Sequence, residues 1–327
     1  KCSKCFSGSF CDTIGATSGK SCPAGTYNPN EGSVSSQACI KCPVGSYSPL
    51  TGQSTCSKCF PGSYCDTIGA TSGTSCPTGT YNPNEGSVSS QACIKCPVGS
   101  YNPLTGQSTC SKCFPGSYCD TIGATAGKSC PTGTYNPNEG SVSSKACIKC
   151  PVGTYGSFSG LSKCSKCFSG SYCDTIGATS GKSCPAGTYN PNEGSVSSQA
   201  CIKCPVGTYG SFSGLSKCFS GSYCDTIGAS SGTSCPAGTY NPNEGSVSSQ
   251  ACIKCPVGTY SSVSSLSKCS KCFAGSYCDT IGATSGTSCP AGTYNPNEGS
   301  VSSQACIKCP VGTHYPFTDG SVYFPGW

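Results

Sequence analysis

The stretch that decides the fold runs from Cys76 to Cys113 and reads CPTGTYNPNEGSVSSQACIKCPVGSYNPLTGQSTCSKC. It contains two segments with the shared opening Cys-x-x-Gly-[Ser/Thr]-Tyr, and each ends at a further cysteine, Cys93 and Cys110. Glycine near the opening cysteine permits a tight turn, and the aromatic side chain can cover the neighbouring disulfide. The pattern therefore predicts short loops, each closed by a disulfide.

This stretch belongs to a unit that is copied along the whole chain. Cysteines 56, 59, 65, 76, 93 and 96 recur at 110, 113, 119, 130, 147 and 150, which is a period of 54 residues. Each unit has three loops, here called A, B and C; in the second repeat they begin at Cys59, Cys76 and Cys96 and are named A2, B2 and C2. A copied unit of this length is typical of repeat architectures.

The period defines the domain organisation. We expect a first repeat that lacks its N-terminal part (1–58), three repeats (59–112, 113–166 and 167–217), a fifth repeat (218–271), an incomplete sixth repeat (272–312) and an aromatic C-terminal tail (313–327). The junction of repeats 4 and 5 is shorter by three residues, because Cys218-Phe stands where the preceding unit has Cys164-Ser-Lys-Cys167-Phe. That deletion removes one cysteine.

The composition indicates a disulfide scaffold in an oxidising compartment. The 327 residues include 35 cysteines, above the roughly 8–10 per cent that marks such scaffolds. So many thiols would stay reduced in a cytosol, so an extracellular location, secreted or at the cell surface, is expected. There is no Met, one Trp and only five Leu, so no large hydrophobic core can form, whereas 44 Gly and 24 Pro favour turns.

Other classes of protein are disfavoured by charge and hydropathy. Charged residues make up 10% of the chain, Arg is absent, and the net charge of +6 is spread along the length. Nucleic-acid binding usually needs a dense basic stripe. No apolar run approaches the 18 or so residues of a membrane span. The chain opens inside a repeat without a signal peptide, so we expect a processed chain or a segment of a longer one.

Loops B and C, with their Cys-Pro-x-Gly-[Thr/Ser]-Tyr openings and Cys-x-x-Cys junctions, resemble the ephrin-receptor-like cysteine-rich repeat of extracellular surface proteins. That repeat is similar in style to the repeats of tumour-necrosis-factor receptors. The resemblance covers nearly all of residues 1–312, and loop A departs from it with a Cys-x-x-Gly-x-Tyr-Cys opening. It implies an elongated extracellular array. The expected fold class is small disulfide-rich repeats forming a solenoid-like rod of short β-hairpins and turns, with almost no helix.

The pairing of the cysteines is not unique, because six cysteines allow 15 arrangements. The loop pattern favours closure of each loop on itself, and loops of about 15 residues would each gain roughly 3 kcal/mol. A crossed arrangement, in which cysteines of loop A reach into loop B, competes with it. The predicted paired cysteines are Cys22, Cys39, Cys42, Cys56, Cys59, Cys65, Cys76, Cys93, Cys96, Cys110, Cys113, Cys119, Cys130 and Cys147.

Three cysteines are left over in the favoured arrangement. Cys2 closes a loop C whose opening half is absent, and no cysteine follows Cys309, which opens one. The deletion leaves a third orphan among Cys204, Cys218 and Cys224, and Cys224 is our candidate. Leftover cysteines suggest intermolecular bonds or free thiols. One hypothesis is that Cys309 of one chain meets Cys2 of the next in an open filament; the alternative is that both mark the ends of a segment of a longer chain.

Metal and cofactor sites are not expected. Cysteines 39, 42, 56 and 59 have the spacing of a zinc ribbon, but a zinc site would leave Cys65 and Cys76 unexplained. Asp66 and Glu85 recur in each repeat without the alternate oxygen ligands of a calcium loop. We expect these carboxylates to be solvated or paired with Lys95 or Lys112.

The tail and the serine-rich stretches are the remaining features. The only histidine is His314, so no Ser-His-Asp or Cys-His machinery recurs through the array. The aromatic tail is a candidate for subunit docking, against a disordered end or part of a further domain; its residues are His314, Tyr315, Phe317, Tyr323, Phe324 and Trp327. The stretch 261–267 is a candidate for O-linked glycans, and no Asn-x-Ser/Thr acceptor occurs.

Near-identical repeats do not favour catalysis, because an active site needs one irregular, preorganised constellation. Such repeats offer length and a periodic surface instead. The sequence predicts a non-enzymatic extracellular structural protein, a subunit of a filament, surface coat or wall that associates with itself head to tail. The alternative is a segment of an adhesion or receptor ectodomain that presents a ligand-binding face.

Overall fold

The computed structural model describes residues 2–211 and 214–313, and its regular structure consists of two-stranded antiparallel hairpins. In loops A the paired strands are Ser9–Phe10 with Lys20–Ser21, Ser63–Tyr64 with Thr74–Ser75, Ser117–Tyr118 with Lys128–Ser129, Ser171–Tyr172 with Lys182–Ser183, Ser222–Tyr223 with Thr233–Ser234, and Ser276–Tyr277 with Thr287–Ser288. In loops B they are Thr26–Tyr27 with Ile40–Lys41, Thr80–Tyr81 with Ile94–Lys95, Thr134–Tyr135 with Ile148–Lys149, Thr188–Tyr189 with Ile202–Lys203, Thr239–Tyr240 with Ile253–Lys254, and Thr293–Tyr294 with Ile307–Lys308. In loops C they are Ser46–Tyr47 with Ser57–Lys58, Ser100–Tyr101 with Ser111–Lys112, Thr154–Tyr155 with Ser165–Lys166, Thr208–Ser211 with Gly214–Lys217, and Thr259–Tyr260 with Ser270–Lys271.

Short 3-10 turns precede the closing cysteine of each loop B. In loop B2 the backbone N–H of Cys93 donates to the Ser90 carbonyl at 3.0 Å, which ends the turn. The turns are Ser36–Ala38, Ser90–Ala92, Ser144–Ala146, Ser198–Ala200, Ser249–Ala251 and Ser303–Ala305. Across residues 2–211 and 214–313, no helix has the length and apolar character needed to cross a membrane.

In most pairs of successive loops, the same four backbone hydrogen bonds join one loop to the next. Between loops B2 and C2, the N–H of Cys96 donates to the Gly79 carbonyl at 2.9 Å, and the Gly79 N–H donates onward into loop C2 at 2.8 Å. Two further bonds, each from a backbone N–H to a carbonyl, complete the set: Asn82 to Gln107 at 3.0 Å and Gly106 to Cys76 at 2.8 Å. Because each loop donates to and accepts from the next, neighbouring loops satisfy each other's buried backbone groups.

This stacking requires glycine at the fourth position of loops that have another loop two positions further along the chain. Gly99 has φ +83°, and a β-carbon there would lie 2.5 Å from the carbonyl oxygen of Gly140 and 3.0 Å from Val142. Gly140 lies in loop B3, two loops beyond Gly99 in loop C2. The shared glycine therefore serves both the tight turn and the close approach of a backbone two loops away.

The interior consists mainly of cystine and small side chains. Most of the cysteines at the loop openings are buried, and Tyr47 packs with the Cys59 and Cys65 pair and Ala70. Tyr101 packs in the same way on Cys113 and Cys119. As the sequence predicts, the aromatic of each of these loops covers a neighbouring disulfide. A conventional hydrophobic core is not needed where cross-links limit the unfolded chain.

The chain divides into two compact units. One comprises Lys1–Pro151, Tyr155–Ser165 and Ile176–Thr179, and the other Val152–Thr154, Lys166–Thr175 and Ser180–Trp327. Both contain the backbone hydrogen bonds between successive loops, which we call the ladder. In the second unit, for example, the Cys235 N–H donates to the Gly221 carbonyl at 2.9 Å. The predicted fold class of small disulfide-rich repeats built from short hairpins is confirmed; the rod shape of the whole chain stays a prediction.

Candidate functional site

With the exceptions described below, each loop is closed by a disulfide between its own cysteines. The crossed arrangement between loops A and B does not occur among the 35 cysteines, all of which lie in the described part of the chain. In loops A the pairs are Cys5–Cys11, Cys59–Cys65, Cys113–Cys119, Cys167–Cys173, Cys218–Cys224 and Cys272–Cys278. In loops B they are Cys22–Cys39, Cys76–Cys93, Cys130–Cys147, Cys184–Cys201, Cys235–Cys252 and Cys289–Cys306. In loops C they are Cys42–Cys56, Cys96–Cys110, Cys150–Cys164 and Cys255–Cys269.

Three cysteines of the described chain are free, and one of them corrects the sequence prediction. Cys2 and Cys309 are free, with Cys2 exposed and Cys309 partly buried. The prediction of Cys224 as the third was wrong, because Cys224 is bonded to Cys218 and the free residue is Cys204. Cys218 serves as the opening cysteine of loop A5, so loop C4 has no closing partner for Cys204. Burial raises the pKa of the Cys204 thiol.

Loop C4 is held by a longer hairpin in place of the missing disulfide. Its strands Thr208–Ser211 and Gly214–Lys217 pair with Gly210 opposite Leu215. In loop C2 the register Tyr101 opposite Ser111 puts Cys110 directly before the second strand. The same register in loop C4 puts Leu215 at the position of the closing cysteine. A β-carbon at Gly210 would lie 2.8 Å from the sulfur of Cys204, so the free thiol faces this hairpin.

The cysteines with zinc-ribbon spacing are all consumed in disulfides. Cys39 is bonded to Cys22, Cys42 to Cys56, and Cys59 to Cys65. No group of three or more metal-ligating side chains occurs within residues 2–211 and 214–313.

A buried asparagine in each loop B is a structural element that the sequence reasoning missed. Asn82 is fully buried, and its Nδ2 donates to the Ser63 carbonyl and to Ser87 Oγ, both at 2.9 Å. Its Oδ1 accepts the backbone N–H of Asn84 at 3.1 Å. The side chain therefore fastens loop B2 to loop A2 and folds the Asn-Pro-Asn-Glu-Gly turn. The available signal was alignment by the opening cysteine, because Asn82 then falls where loop A2 has Cys65.

The carboxylate partners differ from the expected ones. Glu85 pairs with Lys58 at 3.0 Å, not with Lys95 or Lys112, and Lys112 pairs with Glu139 at 3.1 Å. Lys58 ends loop C1, and its methylene stem lies over Gly86, two loops further on, with carbons 3.7–3.8 Å from the β-carbon position. Lys58 and Lys112 lie equally far from Glu85 in sequence, 27 residues before and after it. The stacking places Glu85 against the lysine that ends the loop two positions earlier.

A second ion pair closes some of the loops A. Lys128 lies 2.8 Å from Asp120, and the corresponding pairs Lys20–Asp12 and Lys182–Asp174 are at 2.9 Å. The hydrogen bond from Lys128 lowers the pKa of Asp120, and the same bond raises the pKa of Lys128. In repeats 2, 5 and 6 threonine replaces this lysine, at positions 74, 233 and 287. Since both partners are exposed, the pair adjusts local charge and adds little stability.

An aromatic cleft lies at three of the junctions between a loop C and the following loop A. Tyr101 and Phe114 meet edge to face with ring centroids 5.7 Å apart, beside a cleft of about 350 Å³. Tyr101 is buried but Phe114 is 65% exposed. The equivalent clefts at Tyr47–Phe60 and Tyr260–Phe273 measure about 320 and 230 Å³. Glycine, serine, alanine and proline line the remainder, and no charged side chain does.

The candidate glycan stretch is only partly accessible. Ser261 is buried and its hydroxyl donates to the Val263 carbonyl at 2.9 Å, whereas Ser262, Ser264 and Ser267 are exposed. The predicted assembly tail lies outside the described residues; it comprises His314, Tyr315, Phe317, Tyr323, Phe324 and Trp327.

Comparison with known proteins gives one family. Five stretches match the model of the family described as tyrosine-protein kinase ephrin type A/B receptor-like: residues 35–76, 87–130, 141–184, 153–201 and 247–289. Together they cover more than half of the chain. No curated protein matches it significantly.

Proposed function

Because the chain belongs to the ephrin type A/B receptor-like family of cysteine-rich repeats, we propose that it is an extracellular structural protein, a subunit of a filament, surface coat or wall. Repeats of this family are structural ectodomain modules, and this chain carries sixteen disulfides. We further infer that it has no catalytic activity.

The observation that carries this proposal is the uniformity of the exposed surface. One isoleucine recurs in each loop A from repeat 2 onward, with 66–68% of its surface exposed; these are Ile68, Ile122, Ile176, Ile227 and Ile281. Repeats that bind different partners would differ at such positions, whereas a lattice needs the same contact at each period. An exposed apolar side chain that recurs in this way favours packing against further copies or a matrix.

Electron microscopy of native material tests the structural proposal. Regular polymers or sheets with a repeat spacing related to the loops are expected. Dispersed single molecules at all concentrations would contradict it. The matched variant is Ile122→Ser with Ile176→Ser, which should reduce assembly while leaving the disulfides unchanged.

We propose that copies join head to tail through a disulfide between Cys309 of one and Cys2 of the next. Both thiols are free and neither is fully buried. Cys309 opens a loop C and Cys2 closes one, so the bond would complete a loop of the regular kind. On non-reducing gels the native protein should form a ladder of oligomers that Cys2→Ser or Cys309→Ser abolishes. Cys204→Ser is the control and should leave the ladder intact; a monomer band alone would overturn this contact.

The aromatic clefts favour a second candidate function, presentation of a ligand-binding face in an adhesion or receptor ectodomain. An exposed Phe114 ring beside serine hydroxyls suits a neutral ligand, because no charged side chain lines the cleft. This function would be favoured if the protein binds to cells or matrix and the double variant Phe60→Ala, Phe114→Ala does not. Under the structural proposal, polymers should be lost in the isoleucine variant and kept in the phenylalanine variant, which separates the two functions.

O-linked glycans on the exposed serines 262, 264 and 267 are proposed as a surface modification. The intact mass of native material should exceed the sequence mass by hexose units, and alanine at these three positions should remove that excess. Ser261→Ala is the control, since its hydroxyl is buried.

A further inference from the structure

The junction of repeats 4 and 5 contains one cysteine that satisfies two patterns at once. Residues 204–218 are identical to residues 150–164, a complete loop C that Cys150–Cys164 closes. Residues 218–224 are identical to residues 167–173, the start of a loop A that Cys167–Cys173 closes. Cys218 is therefore both the last residue of one copy and the first residue of the next.

The structure uses Cys218 in the second role. Cys218 is bonded to Cys224, and its N–H donates to the Gly207 carbonyl at 3.0 Å, as an opening cysteine does throughout the ladder. Cys204 is three residues before Gly207 and carries a free, buried thiol. Cys218, which would close loop C4, and Cys204, with which it would bond, therefore lie on turns that a hydrogen bond joins.

The other role, closing a loop C, is shown in repeat 3 by the loop that Cys150–Cys164 closes. There the N–H of Gly160 donates to the Cys130 carbonyl at 2.8 Å, and the N–H of Asn136 donates to the Leu161 carbonyl at 2.9 Å. Because the sequences are identical, loop C4 can form the same contacts once its second strand shifts by three residues. Gly214 would then donate to Cys184, and Asn190 would donate to Leu215. The shift separates Lys217 from Thr208, its partner in the present hairpin.

We propose that this junction exists as two disulfide isomers, one with Cys218 bonded to Cys224 and the other with Cys218 bonded to Cys204. In the exchange, the Cys204 thiol loses its proton to water and the thiolate attacks the sulfur of Cys218. The Cys218–Cys224 bond breaks, and its electron pair remains on the Cys224 sulfur, which takes up a proton. One disulfide is lost and one is formed, so no oxidant or reductant is consumed.

Two opposing effects keep both isomers accessible. A bond from Cys204 to Cys218 has the sequence separation of 14 seen in the other loops C, against 6 for Cys218–Cys224. Closing the longer loop removes more conformational freedom from the unfolded chain. The bond to Cys224 preserves the ladder between loops A5 and B5, in which the Gly245 N–H donates to the Cys218 carbonyl at 2.6 Å. The disulfide pairing at this junction can therefore change while the disulfides of the neighbouring loops stay closed.

Peptide mapping of the full chain tests this proposal in a Cys2→Ser, Cys309→Ser background, which leaves Cys204 as the only unpaired cysteine. The protein is quenched in acid, its thiol is alkylated, and it is cut after lysine. Cleavage after Lys203 and Lys217 places Cys204 alone in peptide 204–217. The isomer of the structure releases this peptide alkylated, whereas the other isomer holds it by a disulfide to peptide 218–254.

Both forms are expected, and either one, once isolated, should return to the same ratio at pH 8 without added thiol. Cys224→Ser should form Cys204–Cys218 in full; its matched control, Cys173→Ser in repeat 3, should keep Cys150–Cys164 and leave Cys167 free. Release of peptide 204–217 in full before and after incubation would overturn the proposal. So would a Cys224→Ser protein in which Cys204 and Cys218 both stay reduced while the other disulfides form.

Discussion

Leu215 pairs with Gly210 across the hairpin of loop C4, and a β-carbon at Gly210 would lie 2.8 Å from the sulfur of Cys204. In loop C2 the residue at the position of Leu215 is Cys110, which is bonded to Cys96. The shortened loop therefore keeps the strand register of a closed loop C, with leucine at the position of the closing cysteine.

Leu215→Cys should restore the missing disulfide. A cysteine at 215 is expected to bond with Cys204, which lowers the number of free thiols from three to two although one cysteine is added. Closing the loop should raise the free energy of unfolding by roughly 3 kcal/mol. Thiol titration and urea unfolding measure both effects. Leu161→Cys is the control, because Cys150 is already paired there and the free thiols should rise to four; four free thiols in Leu215→Cys would contradict the assigned position.

Asn82→Ala should open the contact between loops A2 and B2. The substitution leaves the Ser63 carbonyl and the Asn84 N–H without their partners, at a cost of about 2–4 kcal/mol. Hydrogen exchange at Asn84 should accelerate, and unfolding of that region should shift to lower denaturant. The matched variant is Asn84→Ala, whose side chain is exposed and whose replacement should change little. Equal effects of the two variants would show that the buried amide is not the fastening group.

Gly99→Ala should lower the free energy of unfolding by more than the conformational strain of a positive φ alone accounts for. Its β-carbon would meet the Gly140 carbonyl oxygen at 2.5 Å, so loop B3 must move as well. Gly15→Ala is the control, since it has φ +77° with nothing within 4 Å of its β-carbon position. The control should lose about 1–2 kcal/mol and Gly99→Ala at least about 1 kcal/mol more. If thermal unfolding shows equal losses of stability for Gly99→Ala and Gly15→Ala, the steric argument for the shared glycine is contradicted.

The ion pair between Asp120 and Lys128 should make a small contribution to the stability of the fold, and acid should remove it. The hydrogen bond from Lys128 lowers the pKa of Asp120 from its ordinary value of 3.8. Since the folded pKa lies below the unfolded one, the stabilisation is present above the unfolded value and is lost as pH falls through the folded value. Carbon-13 titration of the carboxylate should show its pKa rising toward 3.8 in Lys128→Thr, the residue found at position 74 of repeat 2. Lys149→Thr should leave the titration of Asp120 unchanged.

Much of the local structure was predictable because it is set by residues close together in the chain. The opening Cys-x-x-Gly-[Ser/Thr]-Tyr supplies the cysteine, the turn and the covering aromatic within six residues, and the closing cysteine follows within seventeen residues of the opening one. The role of Asn82 was not predictable in the same way, since its partner Ser63 lies in another loop.

The sequence by itself determined that each repeat folds into short disulfide-closed loops, and it favoured closure of each loop by its own cysteines, since closing a nearby pair costs the least chain entropy. Only the tertiary structure decided which contacts join the loops. Glu85 meets Lys58, 27 residues earlier, and the Gly99 position meets Gly140, because stacking brings backbones two loops apart into contact. It also decided that Cys204 is the unpaired cysteine at the shortened junction. The sequence lets Cys218 either close loop C4 or open loop A5, and in the structure it opens loop A5, bonded to Cys224 and hydrogen-bonded to Gly207.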